Sequence, residues 1–158
     1  MDKIFQKVVT KQIEALIEEK IELENTFLNF TPKWFEPNPI EDPAVGAGSR
    51  KSKNLGIYKI IYGPTDEVMY IGQGIISGRK SKHIMVFRNK GEPIVRGPGK
   101  ANTDSPAARK MYNFDDNIDN WLFSFCIVDN KALCQRYEDC LIKNEDPEFN
   151  SPGMSGCN

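Results

Sequence analysis

The chain has 158 residues, of which 39% are hydrophobic and 27% charged, with 21 Lys and Arg against 22 Asp and Glu. These values are typical of one globular domain with a real core and exclude the disordered and fibrous classes. The first 20 residues carry charges at every turn, which excludes the apolar core of a signal peptide and a membrane span. We therefore expect a cytoplasmic protein with no membrane partner, whose four cysteines are free thiols.

The first 53 residues predict an amphipathic helix followed by an irregular arm. Apolar side chains recur at helical spacing from residue 3 to about residue 28: Phe5, Val8, Val9, Ile13, Leu16, Ile17 and Leu23. The arm contains four prolines and the run GAGSRKSKN, which interrupt regular structure. The apolar stripe of the helix has two equally acceptable destinations, the core of its own chain and a homodimer contact.

The stretch GIYKIIYGPTDEVMYIG, residues 56–72, predicts an antiparallel hairpin. Two β-rich runs, 56–62 and 67–72, flank the turn composition GPTD. Side chains alternate along a strand, so Tyr58 and Tyr70 are expected to share a face. An aromatic pair that stabilises the sheet is the simplest explanation of the two tyrosines. The glycines at both ends weaken a strand unless another group approaches the backbone there.

The remaining elements complete a small α/β domain. We predict a helix over 76–89, a basic loop KGEPIVRGPGK, a short helix capped by Ser105 with Pro106 in its first turn, a strand over 120–129 and a helix over 130–144. The core stripe expected on the last helix consists of Leu133, Tyr137, Cys140, Leu141 and Asn144. The fold class is therefore α/β in the α+β sense: a three-stranded mixed or antiparallel sheet flanked by helices over residues 54–158, with an N-terminal helical extension.

Charge is distributed unevenly along this domain. Residues 77–110 hold nine Lys or Arg against two acidic residues, a balance of +7, and residues 115–148 hold nine Asp or Glu against three Lys or Arg, a balance of −6. Two solvated faces of opposite sign explain this pattern most simply. A polyanionic partner is the alternative.

The hairpin resembles the defining motif of the GIY-YIG nuclease superfamily, because GIY at 56–58 is followed after eleven residues by YIG at 70–72. Arg79 and His83 resemble the family's Arg-x-x-x-His pair on the next helix. Glu138 and Asn150 resemble its helical glutamate and the asparagine that follows, so the resemblance covers residues 55–150. The spacing from Tyr70 to Arg79 is one residue shorter than is usual in the family, which leaves Lys80 as an alternative phosphate contact.

This resemblance implies a divalent-metal-dependent phosphodiesterase that acts on DNA. Tyr58 is then the group that activates water, with Tyr70 beside it, and Arg79 is the donor fork for the scissile phosphate. Glu138 is the only protein carboxylate on Mg²⁺ or Mn²⁺, one ion per site, with waters and phosphate oxygens as the other ligands. An ordinary phenol titrates near pH 10, so Tyr58 needs positive charge from Arg79 or Lys80 to serve as a base.

Two further residues have roles implied by the resemblance and plain structural alternatives. His83 contacts phosphate or tunes the tyrosine, whereas a lone helical histidine is more often an exposed imidazole without a role. Asn150 holds the catalytic loop or contacts phosphate, whereas it is otherwise an ordinary turn residue.

We expect double-stranded DNA as the partner. Its predicted contacts are Lys80, Lys82, Arg88, Lys90, Arg96 and Lys100. A site-specific endonuclease of the restriction type is the first choice, and a freestanding homing or phage endonuclease is the near alternative. A non-catalytic DNA-binding module on the same fold is the alternative from a different class.

Overall fold

The computed structural model describes residues 2–43 and 54–150. It divides the chain into two compact units, Met1–Thr31 and Pro32–Asn158. The first unit is the helix α1 (Lys3–Asn29), which begins where the Asp2 side chain accepts a hydrogen bond from the backbone N–H of Ile4 at 3.0 Å. The predicted helix is thus confirmed. Within the described ranges, no helix is both long enough and apolar enough to cross a membrane.

The second unit is built on an antiparallel sheet that has four strands in the described residues. The strands are β1 (Asn38–Pro39), β2 (Leu55–Tyr62), β3 (Glu67–Ile75) and β4 (Trp121–Ile127), in the spatial order β1-β4-β2-β3. The broad α+β class is confirmed, and the prediction of three strands is wrong. The extra strand comes from the proline-rich arm. Proline has no N–H to donate, and β1 accordingly lies at the edge of the sheet, next to β4 alone.

Three further helices complete this unit: α2 (Ile76–Arg88), α3 (Pro106–Phe114) and α4 (Lys131–Glu145). The predicted cap of α3 is confirmed, since Ser105 Oγ accepts from the N–H of Ala108 at 3.0 Å. Buried residues of α2 and α3 form one cluster with Tyr58 of β2. Lys59 has the opposite orientation on β2 and forms a 2.6 Å ion pair with Glu145, so α4 packs on the other face of the sheet.

The predicted core stripe of α4 needs one correction. Leu133 is buried, and Tyr137, Cys140 and Leu141 are half-buried, but Asn144 is exposed. The two buried residues of this helix, Leu133 and Cys134, both lie near its start. The core contact of α4 is therefore strongest at its N-terminal end and does not extend to Asn144.

Two sequence predictions fall partly outside the described residues. The cysteines at 126, 134 and 140 are free thiols, as predicted, and Cys157 lies outside the described residues. The run GAGSRKSKN also lies outside them, apart from Asn54.

Gly56, the glycine of GIY, lies where β2 meets β4. An added Cβ at this position would overlap the carbonyl oxygen of Cys126 on β4. The glycine is therefore required by the close approach of a neighbouring backbone, one of the reasons for which a strand tolerates this residue.

We expect Gly56→Ala to lower the free energy of unfolding by about 1–3 kcal/mol, because the methyl group would push β2 away from β4. Gly78→Ala is the matched control, since an added Cβ at this helical position meets no atom within 4 Å. It should raise stability by up to about 1 kcal/mol through helix propensity. Urea denaturation measures both, and equal stabilities of the two variants would contradict the packing argument.

Candidate active site

Tyr58 and Tyr70 lie on one face of the sheet, as the alternation predicts. Their ring centroids are 6.1 Å apart, and the Tyr58 ring also stacks on Phe123 at 5.2 Å. Tyr58 is paired across the strands with Gly72, where an added Cβ would lie 2.5 Å from Tyr58 Cζ. The glycine of YIG therefore leaves room for the tyrosine of GIY, whose side chain is only 2% exposed.

His83, from α2, connects Tyr58 to the start of α3. Its Nε2 lies 2.8 Å from Tyr58 Oη and its Nδ1 lies 2.6 Å from Ser105 Oγ. The side chain is 5% exposed, so the alternative of an exposed imidazole is wrong. Burial, reinforced by the charges of Arg79 and Lys82, lowers the pKa of His83 to about 3. The imidazole is therefore neutral, with one nitrogen donating and the other accepting.

Tyr58 is a neutral phenol in this environment. Burial, followed by the neighbouring Tyr70, raises the pKa of Tyr58 well above its ordinary value, although the charge of Arg79 opposes the change. Lys80 gives no help, because its Nζ donates to the backbone carbonyl of Asp42 at 2.6 Å. Arg79 supplies part of the positive charge that Tyr58 needs to serve as a base, but burial outweighs it.

A cleft of about 70 Å³ opens beside the two tyrosines, and Arg79, Lys82 and His83 also line it. The Arg79 side chain crosses β3 at Gly74, which has a φ of +140° and where an added Cβ would lie 3.1 Å from Arg79 Cγ. Of the two alternative phosphate contacts, the structure brings Arg79 to the cleft and bonds Lys80 to the arm.

Glu138, on α4, is a half-buried carboxylate whose charge is only partly compensated. Its Oε2 accepts from Gln135 Nε2 at 3.2 Å, and Gln135 also pairs with Gln73 of β3. Burial, followed by Asp139, raises the pKa of Glu138 to about 7, against the opposing effects of the two glutamines and Arg79. From α4, which packs on the other face of the sheet, the charge of Glu138 contributes to the raised pKa of the Tyr58 and Tyr70 phenols, to which burial contributes most.

Such a carboxylate suits a hard cation. In residues 2–43 and 54–150 no three His, Cys, Asp or Glu side chains come together as a metal site. Glu138 would therefore hold Mg²⁺ or Mn²⁺ with waters and phosphate oxygens as the remaining ligands, an arrangement that Mg²⁺ accepts readily.

Asn150 holds the chain against the free edge of β3. Its Oδ1 accepts from the N–H of Ile71 and its Nδ2 donates to the carbonyl of Ile71, both at 2.9 Å. The N–H of Phe149 bonds the carbonyl of Met69 at 2.8 Å in the same way. Of the two roles implied for Asn150, this geometry favours holding the loop, and the loop brings Phe149 to the wall of the cleft.

The predicted DNA contacts occupy different environments. Arg88 forms an ion pair with Glu41, and Lys90 is exposed at the end of α2. Arg96 and Lys100 are exposed on a loop whose base is closed by two backbone bonds between Ile94 and Thr103, at 2.8 and 3.0 Å. Asp104 and Ser105, which line the cleft, follow this base directly. The loop therefore starts and ends close to the candidate active site.

Three polar residues of the site were not predicted as such: Ser105, Gln73 and Gln135. Sequence identifies Ser105 only as a helix cap, and a cap can be placed from sequence without revealing that its side chain meets His83. Gln73 follows YIG directly and Gln135 precedes Glu138 by one helical turn, a spacing that does place two side chains together.

Comparisons of the chain with protein-family models, with curated proteins and with solved structures found no match in any of the three.

We expect Asn150→Asp to lower the free energy of unfolding by about 1–3 kcal/mol, because a carboxylate oxygen would replace the donor that faces the carbonyl of Ile71. Asn102→Asp introduces the same charge but keeps the oxygen that accepts from the N–H of Arg96. Its stability should stay within about 0.5 kcal/mol of the wild type. Urea denaturation at pH 7 compares the two, and similar losses would show that charge alone matters.

The buried His83 should make the protein sensitive to acid. Because its pKa falls from 6.5 to about 3 on folding, the unfolded chain binds more protons in this interval. The contribution of neutral His83 to stability is complete above pH 6.5 and is lost as the pH falls towards 3. The loss in the free energy of unfolding reaches about 3 kcal/mol at pH 4. We expect His83→Gln to lose less stability than the wild type between pH 7 and pH 4. Parallel pH dependences in urea denaturation would refute this assignment.

Proposed function

We propose that the protein is a divalent-metal-dependent DNA endonuclease of the GIY-YIG type that hydrolyses phosphodiester bonds. One observation carries the proposal: the hydroxyl of Tyr58 is hydrogen-bonded to a buried neutral imidazole at the wall of a cleft that also exposes Arg79 and Lys82. A proton acceptor next to two cations is the combination that water attack on a phosphodiester requires.

The hydrogen-bond chain supports a proton relay that needs no free phenolate. In the tautomer with hydrogen on Nδ1, His83 donates to Ser105 Oγ and accepts from Tyr58 at Nε2. The phenol oxygen then accepts a proton from the attacking water while its own proton passes to Nε2. An oxygen–phosphorus bond forms, the bond to the 3′ oxygen breaks, and that oxygen takes a proton from solvent.

Substrate binding makes His83 a stronger base in this scheme. Arg79 and Lys82 depress the pKa of His83 in addition to burial. A bound phosphate brings negative charge to both cations and offsets this part of the effect. Arg79 offers two parallel donors to the phosphate oxygens, and Tyr70 offers a second hydroxyl beside Tyr58.

The proposed cofactor is Mg²⁺ or Mn²⁺ at Glu138. When bound, the cation supplies Lewis-acid stabilisation of the charge that develops on the phosphate and the leaving oxygen. Gln73 and Gln135 orient the carboxylate through their side-chain amides, as groups behind a metal ligand commonly do.

Double-stranded DNA is the proposed substrate. The loop closed by Ile94 and Thr103 carries the exposed Arg96 and Lys100 next to the cleft, and Val95 on the same loop is 79% exposed. This element supports DNA contact outside the scissile phosphate and therefore a site-specific, restriction-type enzyme, with a freestanding homing or phage endonuclease as the alternative. The proposed setting is the cytoplasm, and the proposed assembly is a homodimer that offers two sites for a double-strand cut.

Cleavage of supercoiled plasmid with and without Mg²⁺ tests the proposal. We expect discrete metal-dependent fragments from the wild type and a loss of at least about 100-fold in rate for Tyr58→Phe, because the relay loses its hydroxyl. Tyr62→Phe is the control, since its hydroxyl bonds Asp115 instead. If the relay operates, the cleavage rate should follow the titration of His83 and should not continue to rise towards pH 10, where an ordinary phenol ionises.

A matched pair of variants on α4 tests the proposed metal site. Glu138→Gln should abolish both cleavage and the rise in Tm that Mn²⁺ gives the wild type. Glu145→Gln, on the same helix and paired with Lys59, should preserve both. DNA binding without cleavage by the wild type would identify a non-catalytic module.

A further inference from the structure

The hydroxyl of Ser105 ends the buried hydrogen-bond chain and has two partners within residues 2–43 and 54–150. It accepts from the N–H of Ala108 at 3.0 Å, and it lies 2.6 Å from Nδ1 of His83. Ser105 is only 2% exposed, so these two bonds dominate its surroundings. A serine hydroxyl has a single hydrogen, so the direction of its bond to His83 decides which ring nitrogen carries the imidazole hydrogen.

The count of donors and acceptors favours one tautomer of His83 in the free protein. If Ser105 donates to Nδ1, its hydrogen is used, and the imidazole hydrogen lies on Nε2 and bonds the oxygen of Tyr58. If Nδ1 donates instead, Ser105 accepts twice and its own hydrogen has no acceptor among the described residues. A buried donor without an acceptor is unfavourable, so the form with hydrogen on Nε2 is favoured.

The two tyrosines are consistent with this direction of hydrogen bonding. Burial raises the pKa of both phenols most, and the hydrogen bond between their hydroxyls raises the pKa of Tyr58 and lowers that of Tyr70. These directions are expected when Tyr58 donates and Tyr70 accepts. The oxygen of Tyr58 can then accept from Nε2 of His83, which lies 2.8 Å away.

The proposed proton relay needs the opposite direction, because Nε2 of His83 must accept the proton of Tyr58. The imidazole hydrogen must then lie on Nδ1, and the hydrogen of Ser105 needs another acceptor. Ser105 lines the same cleft as Arg79 and Lys82, the two cations proposed to bind phosphate. Because hydrogen bonds to ionised acceptors are stronger than those between neutral groups, a phosphate oxygen competes well with Nδ1 for this hydrogen.

The start of α3 also favours an anion close to Ser105. Pro106 and Ala107, in the first turn of this helix, line the cleft, and the N-terminal end of a helix carries partial positive charge. Asp104 lies on the same wall, but an ion pair with Arg109 at 2.9 Å offsets its charge. Because the cleft measures only about 70 Å³, a phosphate oxygen inside it lies close to the Ser105 hydroxyl.

We propose that Ser105 is a positioning residue that makes His83 a proton acceptor for Tyr58 only when phosphate binds in the cleft. In the free protein Ser105 donates to Nδ1, and the imidazole hydrogen lies on Nε2. When a phosphate oxygen accepts the Ser105 hydrogen, the N–H bond at Nε2 breaks and one forms at Nδ1 by proton exchange with water, without a change in charge. The catalytic consequence rests on the proposed nuclease function, whereas the tautomer can be measured without cleavage.

NMR of the imidazole tests the assignment directly. His83 is the only histidine of the chain, so ¹⁵N-labelled histidine gives the signals of one ring. Two-bond ¹⁵N–¹H correlations of the full chain at pH 7 distinguish hydrogen on Nε2 from hydrogen on Nδ1. We expect the Nε2 form in sodium chloride and the Nδ1 form when inorganic phosphate replaces chloride at equal ionic strength. The Nδ1 form in chloride, or the same tautomer in both salts, overturns the proposal.

Variants at two helix caps separate this role from folding. Ser105→Gly removes the hydroxyl at a cap position, where glycine is tolerated, and should abolish the response of the tautomer to phosphate. Ser105→Thr keeps the hydroxyl and should retain the response. Asn130→Gly removes the equivalent cap of α4, which accepts from the N–H of Leu133 at 2.9 Å, and should leave the response unchanged. Equal responses in Ser105→Gly and Asn130→Gly would contradict the assignment.

Plasmid cleavage distinguishes a failure of this inference from a failure of the proposed function. We expect kcat to be about 10-fold lower in Ser105→Gly than in Asn130→Gly, because no group then accepts the hydrogen of Nδ1. Cleavage by a wild type whose tautomer ignores phosphate overturns the role of Ser105 alone. A tautomer that responds to phosphate in a protein without nuclease activity supports the role of Ser105 and overturns the nuclease.

Discussion

The hydrogen-bond chain from Tyr58 through His83 to Ser105 ties the second unit together at one buried point. Tyr58 belongs to β2, His83 to α2 and Ser105 to the cap of α3, so three elements that are distant in sequence meet through two side-chain bonds. Because the three groups are buried, each loses water on folding and depends on the others for hydrogen bonds. The position of α2, and with it the place of Arg79 on the cleft, follows from this contact.

The two glycines of the hairpin motif serve this arrangement in different ways. Gly56 allows the backbone of β4 to approach β2, whereas Gly72 leaves space for the ring of Tyr58 on the neighbouring strand. The apparent weakness of a strand with glycine at its end is thus explained by contacts that a methyl group would prevent. Tyr58 can turn across β3 towards His83 because of the second glycine.

Local rules predicted the parts of this structure that local interactions decide. The hairpin, the shared face of the two tyrosines and the Ser105 cap follow from alternation and capping chemistry. The strand β1 could not be predicted because its two residues include a proline and because Asn38 pairs with Phe123, which lies 85 residues away. Long-range packing of this kind leaves no periodic pattern in the sequence.

The same distinction holds for the site residues. Motif spacing favours Arg79 and leaves Lys80 as the alternative, since adjacent helical residues differ by about 100° in direction and the sequence does not fix the helix phase. Contacts with Gly74 and with the arm separate them in the structure. The burial of His83 likewise depends on Ser105, which is 22 residues away and on another helix.

Both charged segments of the chain contribute residues to the candidate site. Residues 77–110, with their balance of +7, supply Arg79 and Lys82 on its wall, and residues 115–148, with a balance of −6, supply Glu138 on α4. Burial is the main cause that raises the pKa of Glu138 and lowers that of His83; Asp139 adds to the first shift, and Arg79 and Lys82 add to the second. A phosphate beside the cations and a divalent cation beside the carboxylate would each offset the part of these shifts that comes from charge. A net charge of −1 is therefore compatible with the proposed function, because a metal-dependent nuclease needs charges of both signs at its site.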